Sequence, residues 1–418
     1  MANILNLSKP DRNIRVALAL DGSKSISNRA LIVLALSGAD PAAWLTNLST
    51  SKDTVTLQRL LGQREGPYDA GDAGTTFRFM TAYLALQPGV QVLTGSERMQ
   101  ERPVGALVGA LQALGADIRF LGKPGYPPLQ IGAFRAAGKP EVRIQANVSS
   151  QFLSALAMIG PYLPEGLRIV PDGPLVSRPY LEMTVHLMRH FGAQVEWEGD
   201  TLVVHPGGYT PRPFRVEADW SAASYWYGMA ALAETADLRL DGLFADSWQG
   251  DAVLATMMPF FGIQTEFTET GVRLTKSTGI RQPEFKYDFI GCPDIAQTLA
   301  VVCGGLGVAG RFTGLETLSV KETDRIAALR QELIKPGVTF ERLPPVGASG
   351  PVWYGLTGRA SWSDAPLFET YNDHRMAMAF ACLAMLGPVQ IEHSAVVGKS
   401  YPAFWDHLAL AGFNITYA

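Results

Sequence analysis

Six stretches of the chain share one pattern, a long apolar run opened by a short cluster of polar residues. They are SKSISNRALIVLAL from Ser23, GDAGTTFRFMTAYLAL from Gly71, NVSSQFLSALAMIG from Asn147, ADWSAASYWYGMAALA from Ala218, CPDIAQTLAVVCGG from Cys292 and YNDHRMAMAFACLAML from Tyr371. After the first they recur roughly every 70–80 residues, a period that marks a repeat architecture. The runs have no polar face, so each predicts a helix enclosed on all sides by other elements.

A second series interleaves with the first: TVTLQRLLGQ, RPVGALVGALQALGADIRF, RPYLEMTVHLMRHFGAQVEW, DAVLATMMPFFGIQTEF, ETDRIAALRQELIKPGVTFE and PAFWDHLALAGFNITYA. Each reads as an amphipathic helix. All but the first then pass through Gly115, Gly192, Gly262, Gly337 or Gly412 into an alternating strand. Glycine suits the left-handed residue that stops a helix, and the apolar period then switches from 3.6 to 2. The unit is therefore buried helix, strand, amphipathic helix, strand, strand, present six times with a degenerate first copy. Three copies per domain predict two similar α/β domains, with sheets outside, helices inside and a boundary near residues 218–219.

The 418 residues are 47% hydrophobic and 18% charged, a globular composition. A formal charge of −4 excludes a general nucleic-acid binder. The three cysteines, Cys292, Cys303 and Cys382, form no CxxC pair and predict buried thiols rather than disulfides. His186 and His190 share a helix face without further ligands, so no metal is expected. No secretory signal is visible, and the apolar runs break well before the ~20 residues that span a bilayer. These features predict a cytoplasmic protein.

Candidate chemistry concentrates at the mouths of the buried helices. A helix N-terminus offers unpaired N–H groups and the positive end of a dipole, which suit phosphate or carboxylate. Capping alone explains Ser, Thr, Asp or Asn at one mouth. It does not explain Lys24, Arg29, Arg78, Gln151 and Arg375 in the first turns of helices bound for the core. Gly71 and Gly74 allow close approach to backbone, and the hydroxyls and amide of NVSSQ suit a phosphate. Asp219 and Asp294 can accept hydroxyl protons. ERP and SRPY add Arg102, Ser177 and Arg178. VKETDR, read alone, is a solvated helix start with Lys321 and Arg325 flanking acids. GKSYP adds Lys399, but His393 stands where a P-loop needs glycine. The sum suits a substrate rich in phosphate and carboxylate that reacts through a hydroxyl.

With these motifs in order, GSKSISNRAL, GDAGTTFR, ERP, NVSSQFLSAL, SRPY, ADWSAASY, PDIAQT, VKETDR, YNDHRMAM and GKSYP, the chain resembles the 5-enolpyruvylshikimate-3-phosphate synthase family of enolpyruvyl transferases. The resemblance implies a two-domain inside-out α/β barrel, each domain built from three βαβαββ repeats with helices inside. It also implies that the chain crosses between domains twice. Residues 22–218 would form one domain, binding mainly shikimate 3-phosphate. Residues 1–21 would join 219–418 in the other, contributing the catalytic carboxylates and the phosphoenolpyruvate cations. The implied reaction joins shikimate 3-phosphate to phosphoenolpyruvate and releases phosphate, with no metal or organic cofactor, in a monomer that closes on its substrates.

Carried over by motif, Lys24, Ser25, Arg29, Ser149, Ser150, Gln151, Ser177, Tyr180, Asp294 and Lys321 would surround shikimate 3-phosphate. Lys24, Gly74, Arg102, Gln151, Arg325, Arg375 and Lys399 would surround phosphoenolpyruvate. Asp294 and Glu322, with Lys24 beside them, would move the protons. Two residues depart from the family pattern: Asp21 stands where proline is usual, and Thr317 where asparagine is usual. Two rival readings are a UDP-N-acetylglucosamine enolpyruvyl transferase and a non-catalytic anion-binding scaffold. The first is disfavoured by KSISNR and by the lack of any Cys from Lys52 to Phe289; the second by the presence of Lys24, Asp294 and Glu322 together.

Overall fold

A computed structural model of the chain describes residues 4–135, 140–145, 149–173, 175–277, 282–345 and 350–418. Asn147 and Val148 of the NVSSQ motif lie outside the described residues. The chain divides into two compact units, Gly22–Val216 and Met1–Asp21 with Glu217–Ala418.

Each four-stranded sheet repeats one topology. In the split unit, strand Glu284–Asp288 leads through helix Ala296–Leu306 to Ala309–Thr313, which pairs with it in parallel. Helix Arg325–Ile334 follows, then the hairpin strands Thr339–Arg342 and Tyr354–Thr357, of which the second pairs antiparallel with Ala309–Thr313. This βαβαββ order recurs in the sheet of Asn13–Ala19, Thr235–Asp241, Ile263–Phe267 and Gly271–Lys276. It recurs again in the sheet of Leu367–Phe368, Val389–Ile391, Asn414–Tyr417 and Leu5–Ser8. The N-terminal strand thus completes the last repeat by pairing with the C-terminal one.

Among its described residues, unit Gly22–Val216 holds two such four-stranded sheets and one two-stranded sheet, Leu45–Thr46 beside Phe214–Arg215. The short sheet is the degenerate first copy, which lacks its hairpin. Its helix Lys52–Leu61 stops at Gly62 with an ordinary φ of −81°. The other five glycines, Gly115, Gly192, Gly262, Gly337 and Gly412, take φ of 111°, 88°, 79°, 86° and 83°, and their helices turn sharply into strands. One predicted helix is broken. DAVLATMMPFF forms three short turns, Gly250–Val253, Leu254–Met257 and Met258–Phe261, because Pro259 lacks the N–H that a continuous helix would use.

The polar-mouthed helices are the core of each unit. Lys24–Leu36, Gly74–Ala85 and Ser150–Ile159 pack on one another, as do Trp220–Leu232, Ala296–Leu306 and His374–Ala381. In Trp220–Leu232 every residue but Ser221 is buried. Wrapped by helices and sheets, such a helix gains roughly 1.5–3 kcal/mol for each large apolar side chain it hides. Cys292, Cys303 and Cys382 are all buried free thiols. Among the described residues no helix is long and apolar enough to cross a membrane.

Candidate active site

The mouth of His374–Ala381 answers why a core helix begins with polar residues. Tyr371 and Asn372 take left-handed backbone, φ 52° and 55°, and turn the chain into the helix. Asp373, fully buried, caps it by accepting from the Arg375 N–H at 2.9 Å. The same carboxylate grips Arg325 with both oxygens: Nε donates to Oδ2 at 2.7 Å and Nη2 to Oδ1 at 3.3 Å. Arg325 also donates through Nη1 to Asp294 Oδ1 at 3.2 Å and through Nη2 to Glu322 Oε2 at 2.8 Å. One guanidinium, only 1% exposed, therefore collects three carboxylates. Burial alone would lower its pKa, but Asp373, Glu322 and Asp294 outweigh that and raise it.

VKETDR is thus no solvated helix start. Asp324 caps helix Arg325–Ile334 by accepting from the Ile326 and Ala327 N–H groups, which aims Arg325, its first residue, inward. Asp294 sits in the Pro293–Ile295 turn that opens Ala296–Leu306. Its Oδ2 accepts from Arg375 Nη2 at 2.9 Å, and its carbonyl from Arg375 Nη1 at 3.0 Å. Lys321 Nζ lies 3.7 Å from Oδ1. Burial lowers the Lys321 pKa, and Asp294 counteracts this. Lys399 Nζ donates to the Asn372 carbonyl at 3.2 Å, at the same helix mouth. Asp294, Lys321, Glu322, Arg325, Arg375 and Lys399, predicted from four separate motifs, therefore gather at neighbouring openings of one unit. Such a cluster can hold an anion on its cations and move protons through its carboxylates.

The other unit presents a different set. Lys24 donates to Asp53 Oδ2 at 3.2 Å. Arg29 is 2% exposed and turns inward. Nε donates to Thr184 Oγ1 at 2.7 Å, Nη1 to the Ser25 carbonyl at 2.8 Å, and Nη2 to Ser154 Oγ at 3.1 Å and the Tyr180 carbonyl at 3.3 Å. All these partners are neutral, and burial pushes its pKa down to about 10. Gly74 is enclosed by two guanidiniums: a Cβ there would lie 2.5 Å from Arg102 Nη1 and 2.7 Å from Arg78 Nη1. Gln151 Nε2 donates to Thr75 Oγ1 at 2.9 Å, which joins the Ser150–Ile159 and Gly74–Ala85 mouths. Ser149 caps its helix through the Gln151 N–H at 3.3 Å, and Ser150 is half-buried beside it. Ser177, buried at φ 58°, opens the helix that carries Tyr180.

Sequence reasoning gave no role to Asp373, Asp53, Ser154 or Thr184. Asp373 stood in the polar opening YNDHR, where capping accounted for it. Nothing local marks Asp53, Ser154 or Thr184, whose partners are 29, 125 and 155 residues away. Of the two departures, the Asp21 carbonyl accepts from the Asp219 N–H at 3.1 Å, and Thr317 Oγ1 is buried with no hydrogen-bond partner.

The family model described as EPSP synthase (3-phosphoshikimate 1-carboxyvinyltransferase) matches residues 46–408. A 3-phosphoshikimate 1-carboxyvinyltransferase of Bacteroides fragilis is 47% identical over 411 residues, covering 98% of each chain. One of Bordetella petrii is 37% identical, covering 94% of each. Among solved structures, EPSP synthase from Acinetobacter baumannii superposes with a TM-score of 0.76 at 20% identity over the full length of both chains, a likeness of fold. With most of its length inside the family model and close relatives along nearly all of it, this chain belongs to the EPSP synthase (3-phosphoshikimate 1-carboxyvinyltransferase) family.

Proposed function

We propose that the chain transfers the enolpyruvyl group of phosphoenolpyruvate to the 5-hydroxyl of shikimate 3-phosphate and releases phosphate. Family membership supports the reaction. The observation that carries the mechanism is the buried Arg325, which holds Asp294 and Glu322 on one guanidinium at 3.2 and 2.8 Å. Addition across the double bond of phosphoenolpyruvate needs one proton removed from the hydroxyl and one delivered to C3. Two carboxylates fixed against a common cation are suited to that pair of transfers. Asp294 takes the hydroxyl proton, Glu322 delivers one to C3, and Lys24 stabilises the charge that develops between them.

In the same reading Arg325, Arg375, Lys399, Lys24 and Arg102 neutralise phosphoenolpyruvate, with Gly74 and Gln151 shaping its seat. The Gly22–Val216 unit chiefly holds shikimate 3-phosphate. Ser149, Ser150 and Ser177 take its phosphate with Lys321, Ser25 and Arg29 take its carboxylate, and Gln151 and Tyr180 line the ring. Arg29 suits this task because its buried charge has only neutral protein partners. The steps are redox-neutral additions and eliminations, so acid–base and electrostatic catalysis suffice. Both substrates are water-soluble anions, which fits a monomer acting in the cytoplasm.

The test is phosphate release by the purified chain from phosphoenolpyruvate with either acceptor. Release with shikimate 3-phosphate and none with UDP-N-acetylglucosamine is expected. Release with the sugar nucleotide alone, or with neither, would overturn the proposal.

A further inference from the structure

Asp251 takes no part in the chemistry assigned above, yet it is tied to it. It lies in the short Gly250–Val253 turn and is 4% exposed. Its Oδ2 accepts from the Ser221 hydroxyl, while Oδ1 is buried with no hydrogen-bond partner. Among the described residues no lysine or arginine forms an ion pair with it. A buried carboxylate with one neutral partner is costly when charged, and taking up a proton relieves that cost.

The Ser221 oxygen in turn accepts from Arg375 Nη2 at 3.4 Å, and the same Nη2 donates to Asp294 Oδ2 at 2.9 Å. Asp251, Ser221, Arg375 and Asp294 are therefore consecutive members of one hydrogen-bonded chain. The groups that face Asp251 come from three elements. Asp219 and Ser221 open Trp220–Leu232, Cys292 and Asp294 precede Ala296–Leu306, and Arg375 opens His374–Ala381. Cys292 stays a neutral thiol because burial raises its pKa. Asp294 and Asp219 are the like charges, and Arg375 is the opposite one.

We propose that Asp251 is a positioning residue that carries a proton in the resting protein and, through Ser221, orients the Arg375 guanidinium toward Asp294 and an incoming phosphoenolpyruvate. Neutral, it adds no charge behind the guanidinium. Ionised, it places a second carboxylate there and weakens the grip on an anion. Burial first, then the charge of Asp294, pushes the Asp251 pKa up to about 7, so this change falls near neutral pH. The role in substrate binding rests on the proposed function; the proton on Asp251 does not.

Infrared difference spectra of the substrate-free protein read that proton without turnover. A buried carboxylic-acid carbonyl band should fade through about pH 7, be missing in D251N, and fade at higher pH in S221A, where the charged form loses a hydrogen bond. In steady-state assays the KM for phosphoenolpyruvate should rise between about pH 6 and 8 by roughly threefold more in the wild type than in D251N, since one like charge is then added. A pH series without a band assignable to Asp251, or parallel KM profiles in the two proteins, would overturn the proposal. Should D251N fail to fold, an unmoved midpoint in S221A would overturn it equally. Presence of the band in a wild type that releases no phosphate would uphold the proton on Asp251 and count against the functional reading alone.

Discussion

Arg29 and Arg325 are buried to within a percent of each other and are treated in opposite ways. Arg325 is surrounded by Asp373, Asp294 and Glu322, and its pKa is raised. Arg29 meets two hydroxyls, two carbonyls and the face of Phe79 at 5.3 Å, and burial pushes its pKa down to about 10. The first is fixed in place by the protein carboxylates around it. Among the described residues the second has only neutral hydrogen-bond partners, which suits the anion-binding role proposed for it. A buried arginine is thus not one kind of feature; its counter-charges decide whether it organises a site or waits for a ligand.

The largest effect should follow Arg325→Met. It strands Asp373, which is wholly buried, beside Asp294 and Glu322, and breaking such a network costs about 3–5 kcal/mol. Denaturant unfolding should show that loss along with loss of turnover; a variant of normal stability would remove Arg325 from the centre of the comparison. Glu322→Ala, which leaves the Asp373 grip intact, should keep its stability and lose turnover by about 10²–10⁴-fold. Near-normal kcat would disqualify Glu322 as the proton donor.

Asp251 sharpens the contrast as a buried acid that, among the described residues, forms no ion pair with a lysine or arginine. Its folded pKa of about 7 lies above the ordinary 3.8, so between these values the folded state binds more protons than the unfolded one. Stability then falls as pH rises across that window. D251N should flatten the slope of thermal midpoint against pH, and equal slopes would count against the raised pKa. Smaller again is Gly74→Ala. Its Cβ would displace the guanidiniums of Arg102 and Arg78, so KM for phosphoenolpyruvate should rise about tenfold, or ~1.4 kcal/mol, with folding intact. An unchanged KM would show that Arg102 does not need its present place. Arg29→Met comes last. Thr184 and Ser154 keep each other at 2.9 Å, so stability should stay within about 1 kcal/mol while affinity for shikimate 3-phosphate drops. Calorimetric binding equal to wild type would end the receptor reading of Arg29.

Much of the architecture was legible because it repeats. Six copies of one unit, five of them with a period switch at a glycine, leave little freedom in how the elements alternate. Local chemistry made the strands after Gly115, Gly192, Gly262, Gly337 and Gly412 readable. It did not make readable that Leu5–Ser8 closes the last sheet, because that depends on pairings between distant segments. Pro259, visible in the sequence, was outweighed by the apolar period around it, and the helix it interrupts became three turns.

By itself, then, the sequence determined which helices must be buried, where they begin, and which charged residues stand at their mouths, since period, capping and glycine act over a few residues. Only the tertiary structure decided which charge answers which. Arg325 meets Asp294 and Asp373 from 31 and 48 residues away, Arg29 finds Thr184 across 155, and Ser221 reaches Asp251 across 30. Electrostatic partners are chosen by distance in space and by exclusion of water, and neither quantity is written in the order of residues along the chain.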